Sequence, residues 1–346
     1  HLHPQLQRVL LSYLAGIPTK EGEKPVQLFV TSHSPNFASN SKLESLVCLI
    51  ENEAGVETFF PRDVQFAKGK REKLERYLDV TRAELFFARR VIFVEGAAEL
   101  MLVDALAKIL GFDLREYSVS LISVEGLNFD SFLPLFGEKG LRIPVSVITD
   151  ADPFEEEVVP ELAEGDRPAE EIQEELLAEA AYLEEADAKN GDEAEKLADE
   201  GGEPKKKKKL KAAYPALGEN VRISSNTLKM KESEDQFVKV YHGVKTLEYD
   251  LALQEENRDA MLKALAELHP RISVALRKIV SGAPDNTTRA KTLFCGMFER
   301  KDTSSNVQKG GFGQALAEQI ALTPEFKVPE YLAQAIQHVC QGADKP

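Results

Sequence analysis

The chain has 346 residues, of which 43% are hydrophobic and 29% are charged, so it is long enough for two or three domains with a sizeable core. No apolar run approaches the roughly 18 residues that a membrane span needs, and no signal peptide opens the chain, so we expect no membrane partner. Cys48, Cys295 and Cys340 lie far apart without metal-binding spacing, and we expect reduced thiols in a cytoplasmic protein.

The negative charge is concentrated in one segment. The formal net charge is −15, but residues 150–203 alone contain 22 acidic and 3 basic residues, so the remainder carries +4. An acidic surface repels nucleic acid, whereas a locally basic one can bind phosphates. The acidity therefore belongs to an insert, and nucleic acid stays a candidate partner for the rest of the chain.

Three short apolar runs each lead into acidic residues. The runs are 91–94, 119–123 and 145–149, and the acids after them are Glu95 and Glu99, Glu125, and Asp150 and Asp152. Helical patterns separate the runs, which predicts an α/β fold with a parallel sheet and right-handed crossovers. Ligands of such sheets bind at the carboxyl ends of the strands. Carboxylates that converge there need a cation, and hard oxygen ligands favour Mg²⁺ or Mn²⁺.

The same acids have a second interpretation. Asp and Glu are favoured at helix N-termini, where they cap free N–H groups and complement the helix dipole. This alternative is strongest for Glu99 or Glu125 taken singly, and it applies less well to the whole set.

The first 90 residues are predicted to contain both helices and strands. We expect a helix over 4–14, a strand over 26–30, two strands over 46–50 and 57–60, and a charged helix over 68–88. The strand over 26–30 leads into Thr-Ser-His-Ser, which contains His33. A histidine at a strand end commonly makes only a local hydrogen bond.

The acidic strand ends resemble the Toprim domain of topoisomerases, bacterial primases and certain nucleases. Over residues 88–152, Glu95 matches the single Glu after the first strand of that domain, and Asp150 with Asp152 matches its later Asp-x-Asp. The resemblance implies a Rossmann-like parallel sheet with flanking helices and bound divalent metal.

The N-terminal segment carries a further resemblance. His-Leu-His-Pro at 1–4 and Thr-Ser-His-Ser at 31–34 are similar to the region after the Walker B acid and to the switch histidine of ABC-type ATPases. His33 would then sense the terminal phosphate of a nucleotide, and more of the ATPase domain would precede the chain. No Gly-x4-Gly-Lys-Ser/Thr loop is present, so this segment cannot hydrolyse ATP by itself. An ATPase tail joined to a Toprim domain resembles the OLD (overcoming lysogenization defect) family of nucleases.

Two more site residues depend on the OLD resemblance. Thr-Leu-Glu-Tyr-Asp-Leu at 246–251 supplies Glu248 as a metal ligand, and the glycine-flanked Lys309 can reach the metal site from the start of a late helix. Without the resemblance, Glu248 fits a helix cap equally well, because Thr246 stands two residues before it. A lone lysine such as Lys309 is usually solvated.

The chain divides into five predicted segments. They are an ATPase remnant (1–65), the first part of the Toprim core (66–152), an acidic helical insert with a flexible Lys-rich end (153–213), the completion of the Toprim domain (214–255) and a helical subdomain (256–346). Strands over 220–224 and 237–241 would complete the sheet. The five lysines at 205–209 are interpreted as solvated, with DNA contact as the alternative.

The resemblance predicts a DNA endonuclease with two Mg²⁺ or Mn²⁺ ions. The catalytic residues would be Glu95, Asp150, Asp152 and Lys309, the metal ligands Glu95, Glu99, Asp150, Asp152 and Glu248, and Glu125 a candidate outer ligand. The partners would be DNA and the chain's own N-terminal ATPase domain, in a full-length dimer. The alternative is a Toprim module that binds nucleic acid or a partner and regulates without cutting. A topoisomerase or primase is disfavoured by the ATPase-like tail and because no tyrosine lies in a recognisable nucleophile motif.

Overall fold

The structure, a computed structural model, describes residues 3–17, 24, 27–52, 55–126, 129–158, 208–300 and 306–341. The described residues fall into two compact units, one with residues 154–158 and 208–212 and one with the other described residues. The helices are α1 (Pro4–Ala15), α2 (Pro35–Ser39), α3 (Lys70–Tyr77), α4 (Ala97–Ile109), α5 (Phe129–Phe132), α6 (Ser225–Lys231), α7 (Leu247–Leu253), α8 (Asn257–Leu268), α9 (Pro270–Gly282), α10 (Asn286–Phe298), α11 (Lys309–Ala321) and α12 (Glu330–Cys340). The strands are β1 (Cys48–Asn52), β2 (Gly55–Phe59), β3 (Arg90–Val94), β4 (Val119–Ser123), β5 (Val145–Ile148), β6 (Phe154–Val158), β7 (Lys208–Ala212) and β8 (Val238–Tyr241).

A four-stranded parallel sheet forms the centre of the larger unit. Its strand order is β4–β3–β5–β8, and all three pairings are parallel. Parallel strands require crossover connections, which the α4 region supplies between β3 and β4. The predicted α/β fold with a Rossmann-like parallel sheet is therefore confirmed.

Alternate residues of the buried strands pack on opposite faces of the sheet. Ile92 and Val94 join a core with α4 and the late helices, whereas Val91 and Phe93 join a second core with residues such as Phe132. This alternation is the two-residue period of a strand covered on both faces. The same alternation decides toward which face of the sheet the residues just after each strand point.

The late helices form a layer against α4. Helix α11 packs on both α4 and α8, and α12 packs on β5 and β8. The contact between α11 and α4 is close at Gly313, where a Cβ would come within 2.9 Å of the Ala98 Cα. This packing brings the start of α11 to the start of α4, next to the carboxyl edge of the sheet.

Three sequence predictions of secondary structure were wrong. Residues 27–30 form no strand, and Phe29 is 86% exposed, because no neighbouring strand pairs with it among the described residues. Residues 220–224 form no strand either, because Ser224 caps helix α6 by accepting a hydrogen bond from the Thr227 N–H (3.2 Å). The helix predicted over 68–88 ends at Tyr77.

The third error has a side-chain cause. Asp79 accepts hydrogen bonds from the Arg82 backbone N–H (2.8 Å) and from its guanidinium (2.9 Å), and these bonds compete with helix continuation. The chain passes instead into a short 3₁₀ turn over Arg82–Phe86. The predicted strand pair at 46–60 is confirmed as the antiparallel hairpin β1–β2.

The smaller unit contains an antiparallel pair that the helical propensity of the insert did not predict. Strands β6 and β7 pair from Phe154 with Ala212 to Val158 with Lys208. The predicted insert helix and most of the lysine run lie outside the described residues. No helix in the described part of the chain has the length and apolarity to cross a membrane.

Candidate metal centre

Glu95 and Asp150 meet at the carboxyl edge of the sheet because β3 and β5 are parallel neighbours. The Glu95 Oε1 atom accepts hydrogen bonds from the Thr149 hydroxyl (2.7 Å) and from the Asp150 backbone N–H (2.9 Å). These two bonds fix the orientation of the Glu95 carboxylate and leave its second oxygen for another partner.

Glu99 lies in the first turn of α4 and is buried. The turn between β3 and α4 passes through Gly96, where a Cβ would lie 3.2 Å from the Glu99 Oε2 atom. Burial raises the pKa of Glu99, and the negative charges of Glu248 and Glu95 raise it further. Glu99 is therefore close to other acidic side chains, which a helix-capping role by itself does not explain.

Glu248 reaches the same edge from helix α7. Thr246 caps that helix by accepting from the Tyr249 N–H, as the sequence predicted, and Glu248 is completely buried. Its Oε2 atom pairs with the Lys309 ammonium at 3.0 Å, while its Oε1 atom has no hydrogen-bond partner among the described residues. A buried carboxylate oxygen without a donor is costly unless a ligand completes it.

Glu95, Glu99, Asp150 and Glu248, called the acidic cluster below, feel one another's charge. Burial raises the pKa of Asp150 well above its usual range, and Glu95 and Glu248 raise it further. Burial alone would lower the pKa of Lys309, but Glu248 and Asp150 outweigh it, so that this pKa is raised. One lysine thus faces four acids, which leaves a surplus of negative charge.

Asp152 and Glu125 stand apart from this cluster. Asp152 is exposed with a φ of 43°, and no contact joins its carboxylate to the other four. Glu125, with a φ of 49°, pairs with the Arg82 guanidinium at 2.7 Å. The metal-binding roles of both residues stay predictions.

His33 lies in the N-terminal segment and is exposed. Its neighbour Ser34 donates a hydrogen bond to the Gln7 side chain (2.7 Å), so the second ATPase-like segment contacts helix α1, which begins at the end of the first. The nucleotide-sensing role of His33 stays a prediction.

Three residues near the cluster escaped the sequence analysis. Thr149 orients Glu95, and Arg82 holds both Glu125 and the Ser123 carbonyl (3.1 Å) at the end of β4. Asp250 accepts the N–H groups of Val244 and Lys245 (both 3.2 Å) and so fastens the loop before α7. Burial raises the pKa of Asp250 to about 7 although these backbone bonds lower it.

The donor set fits a hard divalent cation. Carboxylate oxygens are the ligands that Mg²⁺ and Mn²⁺ prefer, and the lone Glu248 oxygen points to a missing positive partner. As they stand, no three acidic, histidine or cysteine side chains of the described residues converge closely enough to hold an ion. Binding an ion would therefore require these acidic side chains to move closer together, and Lys309, which is 45% exposed, can turn toward solvent.

Comparison with known proteins supports the fold assignment. Residues 86–152 match the family model described as overcoming lysogenization defect protein-like, TOPRIM domain. A search of curated proteins gives no match.

The solved structures similar to this chain include C-terminal regions of two OLD proteins. The one from Xanthomonas campestris pv. campestris is 22% identical, with 75% of this chain and 96% of that chain covered and a TM-score of 0.41. The one from Burkholderia pseudomallei is 23% identical, with 75% and 100% covered and a TM-score of 0.39. Similarities of this size say nothing about site chemistry.

The family match covers β3, β4 and β5 together with the acidic residues that follow them. These strands run parallel, as the resemblance implied. Residues 86–152 therefore form a TOPRIM domain of the OLD-like type, a nucleic-acid-related module.

Proposed function

We propose that this chain is the cleaving part of a divalent-metal-dependent DNA endonuclease. The observation that carries the proposal is the acidic cluster, in which a buried Glu248 oxygen lacks a hydrogen-bond partner among the described residues and the pKa values of two neighbouring acids are raised. An acidic site that only stabilised the fold would pair its oxygens with internal donors.

The acidic cluster would hold the metal. Glu95, Glu99, Asp150 and Glu248 are the proposed ligands, with Asp152 as an additional ligand from the adjoining loop. Bound Mg²⁺ or Mn²⁺ would supply an activated water and neutralise charge on the phosphate. The OLD-like TOPRIM domain supports this class of chemistry for the strand-end acids.

The protein groups around the cluster have separate tasks. Thr149 and the Asp150 N–H hold Glu95 in one orientation, so that its free oxygen faces the site. The Leu247 N–H donates to the Asp150 Oδ1 atom at 3.3 Å and ties α7 to β5. Lys309 is 45% exposed and can turn from Glu248 to the phosphate, where its ammonium would stabilise developing negative charge.

For the substrate, the partner domain and the oligomeric state, we adopt the predictions from the sequence. We propose DNA as the substrate, an ATPase domain preceding this chain as the regulator, and a dimer in the full-length protein. The contact between the Gln7 and Ser34 side chains supports an organised ATPase-like segment. A cytoplasmic location would suit the reduced cysteines.

The test is cleavage of supercoiled plasmid with Mg²⁺, Mn²⁺, Ca²⁺ or EDTA. We expect relaxed and linear products with Mg²⁺ or Mn²⁺ and none with EDTA. Asp150→Asn should lower the rate by about 100-fold or more, because a charged ligand is lost. The matched control is Asp104→Asn, which changes an acid on α4 that pairs with Lys108 at 2.7 Å outside the cluster. Intact plasmid in every lane from folded protein would count against cleavage by this chain.

A second candidate is a TOPRIM module that binds nucleic acid without cutting it. The ion pair of Lys309 with Glu248 favours it, because an internal ammonium can substitute for a metal ion. This candidate predicts DNA binding that is equally tight in Mg²⁺ and EDTA, with no strand breaks. Metal-dependent nicks that vanish in Asp150→Asn would eliminate it.

A further inference from the structure

Lys245 lies beside the acidic cluster but has no part in it. Its carbonyl oxygen accepts the Ala151 N–H (2.7 Å), and its own N–H donates to Asp250 (3.2 Å). The loop before α7 is therefore fixed against the loop that contains Asp150. Because the backbone is held at both places, the lysine side chain has a defined starting point.

The Lys245 ammonium makes no hydrogen bond to a described residue. The side chain is only 6% exposed, and its nearest anion is the Glu299 Oε1 atom at 3.8 Å, beyond hydrogen-bond distance. No acceptor among the described residues bonds to Nζ. The ammonium has three N–H donors, and no described acceptor takes them up, so they are available to solvent or to an incoming anion.

Aromatic rings form the wall around this ammonium. Nζ lies 4.5 Å from the centre of the Tyr214 ring and 5.7 Å from that of Phe294. Each ring attracts a cation through its face, but neither accepts a conventional hydrogen bond. The wall therefore holds the charge in place and leaves the N–H donors for an incoming anion.

A second cation shares the same ring. The Lys291 ammonium of α10 also lies 4.5 Å from the centre of Tyr214, while the Tyr214 hydroxyl donates a hydrogen bond to Glu299. Glu299 thus has one oxygen occupied by the phenol and the other at a distance from Lys245. Two ammonium groups therefore face the Tyr214 ring, and one carboxylate bonds to its hydroxyl.

We propose that Lys245, together with Lys291, binds a phosphodiester of the nucleic-acid strand adjacent to the phosphate at the acidic cluster. This inference rests on the proposed function, since it supplies the second backbone contact that positions the same strand. A phosphate oxygen would accept the free Lys245 donors, and the exposed Lys291 would meet the same group from the solvent side. Glu299 acts as the internal competitor that the phosphate displaces.

The experiment measures binding of a fluorescent DNA duplex in Ca²⁺ over a series of salt concentrations. Lys245→Met removes the charge and keeps the side-chain length, and methionine suits an aromatic wall. We expect affinity to fall about fivefold and the slope of log K against log salt to shrink by about 0.9, one phosphate contact. The control, Lys278→Met, removes an exposed charge of α9 and should leave that slope close to wild type.

A variant that is expected to bind DNA more tightly distinguishes a lost contact from a folding defect. Glu299→Gln removes the competing anion and should tighten DNA binding about two- to threefold, which a misfolded protein cannot do. Wild-type binding with unchanged slope in Lys245→Met would overturn this inference and leave the proposed function intact. A folded wild type that binds no DNA would overturn both.

Discussion

The two edges of the central sheet both carry acids, but they treat them in opposite ways. At the amino edge, before β8, the Asp235 carboxylate accepts the N–H groups of Glu138 (2.7 Å), Phe237 (2.8 Å) and Val238 (2.9 Å). Burial alone would raise the pKa of Asp235, but these donors outweigh it and the pKa is lowered. At the carboxyl edge, the pKa values of Asp150 and Glu99 are raised.

The difference separates structural acids from candidate functional ones. Asp235 is saturated by backbone donors, so its charge stabilises the fold. The carboxyl edge concentrates more acids than the one lysine facing them neutralises, and Glu248 keeps an oxygen there without a partner in the described part of the chain. Both edges carry acidic residues, so the residue type does not distinguish them. The hydrogen-bond donors around each carboxylate decide its role.

The largest expected effect is on cleavage. Asp150→Asn should reduce metal-dependent plasmid cleavage by about 100-fold or more, whereas Asp235→Asn should cleave at nearly the wild-type rate wherever it stays folded. Initial rates of plasmid relaxation measure both. Equal losses in the two variants would erase the distinction between the edges.

A steric prediction concerns the loop that carries Lys245 and leads into Glu248. A Cβ on Gly243 would overlap the Asp250 carboxylate and approach the Tyr331 ring at 2.8 Å. Gly243→Ala should therefore lower the free energy of unfolding by about 2 kcal/mol through overpacking. Urea unfolding measures this change, and Gly282→Ala is the control because a Cβ there meets nothing within 4 Å. Similar stabilities for the two alanine variants would contradict the tight packing.

A smaller and pH-dependent effect is expected at the amino edge. Asp235→Asn should lower the free energy of unfolding at pH 7 by about 1 kcal/mol, because a charged acceptor of three N–H groups becomes neutral. The Asp235 pKa is lowered in the folded state, so its stabilisation is present above the unfolded pKa of about 3.9 and is lost as pH falls through the folded pKa. Urea unfolding of both proteins should converge as pH falls below the folded pKa of Asp235. A gap that persists in acid would assign the effect to something other than charge.

Much of the fold followed from local patterns in the sequence. Apolar runs of four or five residues gave β3, β4 and β5, and the parallel order then placed Glu95 and Asp150 at one edge. Thr246 predicted the start of α7, because a capping side chain accepts a hydrogen bond from an N–H group only two or three residues further along. The residues at 27–30 and 220–224 had strand patterns too, but a strand also needs a partner, which a local pattern cannot supply.

The candidate site was only partly predictable for the same reason. Lys245 looks like an ordinary loop lysine, and its burial depends on Tyr214 and Phe294, which are distant in sequence. The likeness of Asp152 and Glu125 to strand-end ligands was clear in the sequence, whereas their left-handed backbone and the Arg82 partner of Glu125 emerge only in three dimensions.

The most direct test of the account is a calorimetric titration of the folded chain with Mn²⁺, beside Glu248→Gln and Asp235→Asn. Glu248→Gln should change the free energy of unfolding without metal by less than about 1 kcal/mol, because the partly exposed Lys309 can be hydrated. We predict saturable Mn²⁺ binding by the wild type and by Asp235→Asn, and affinity at least about tenfold weaker in Glu248→Gln. Absence of saturable binding in the wild type, or equal affinity in all three proteins, would contradict a metal centre at the carboxyl edge.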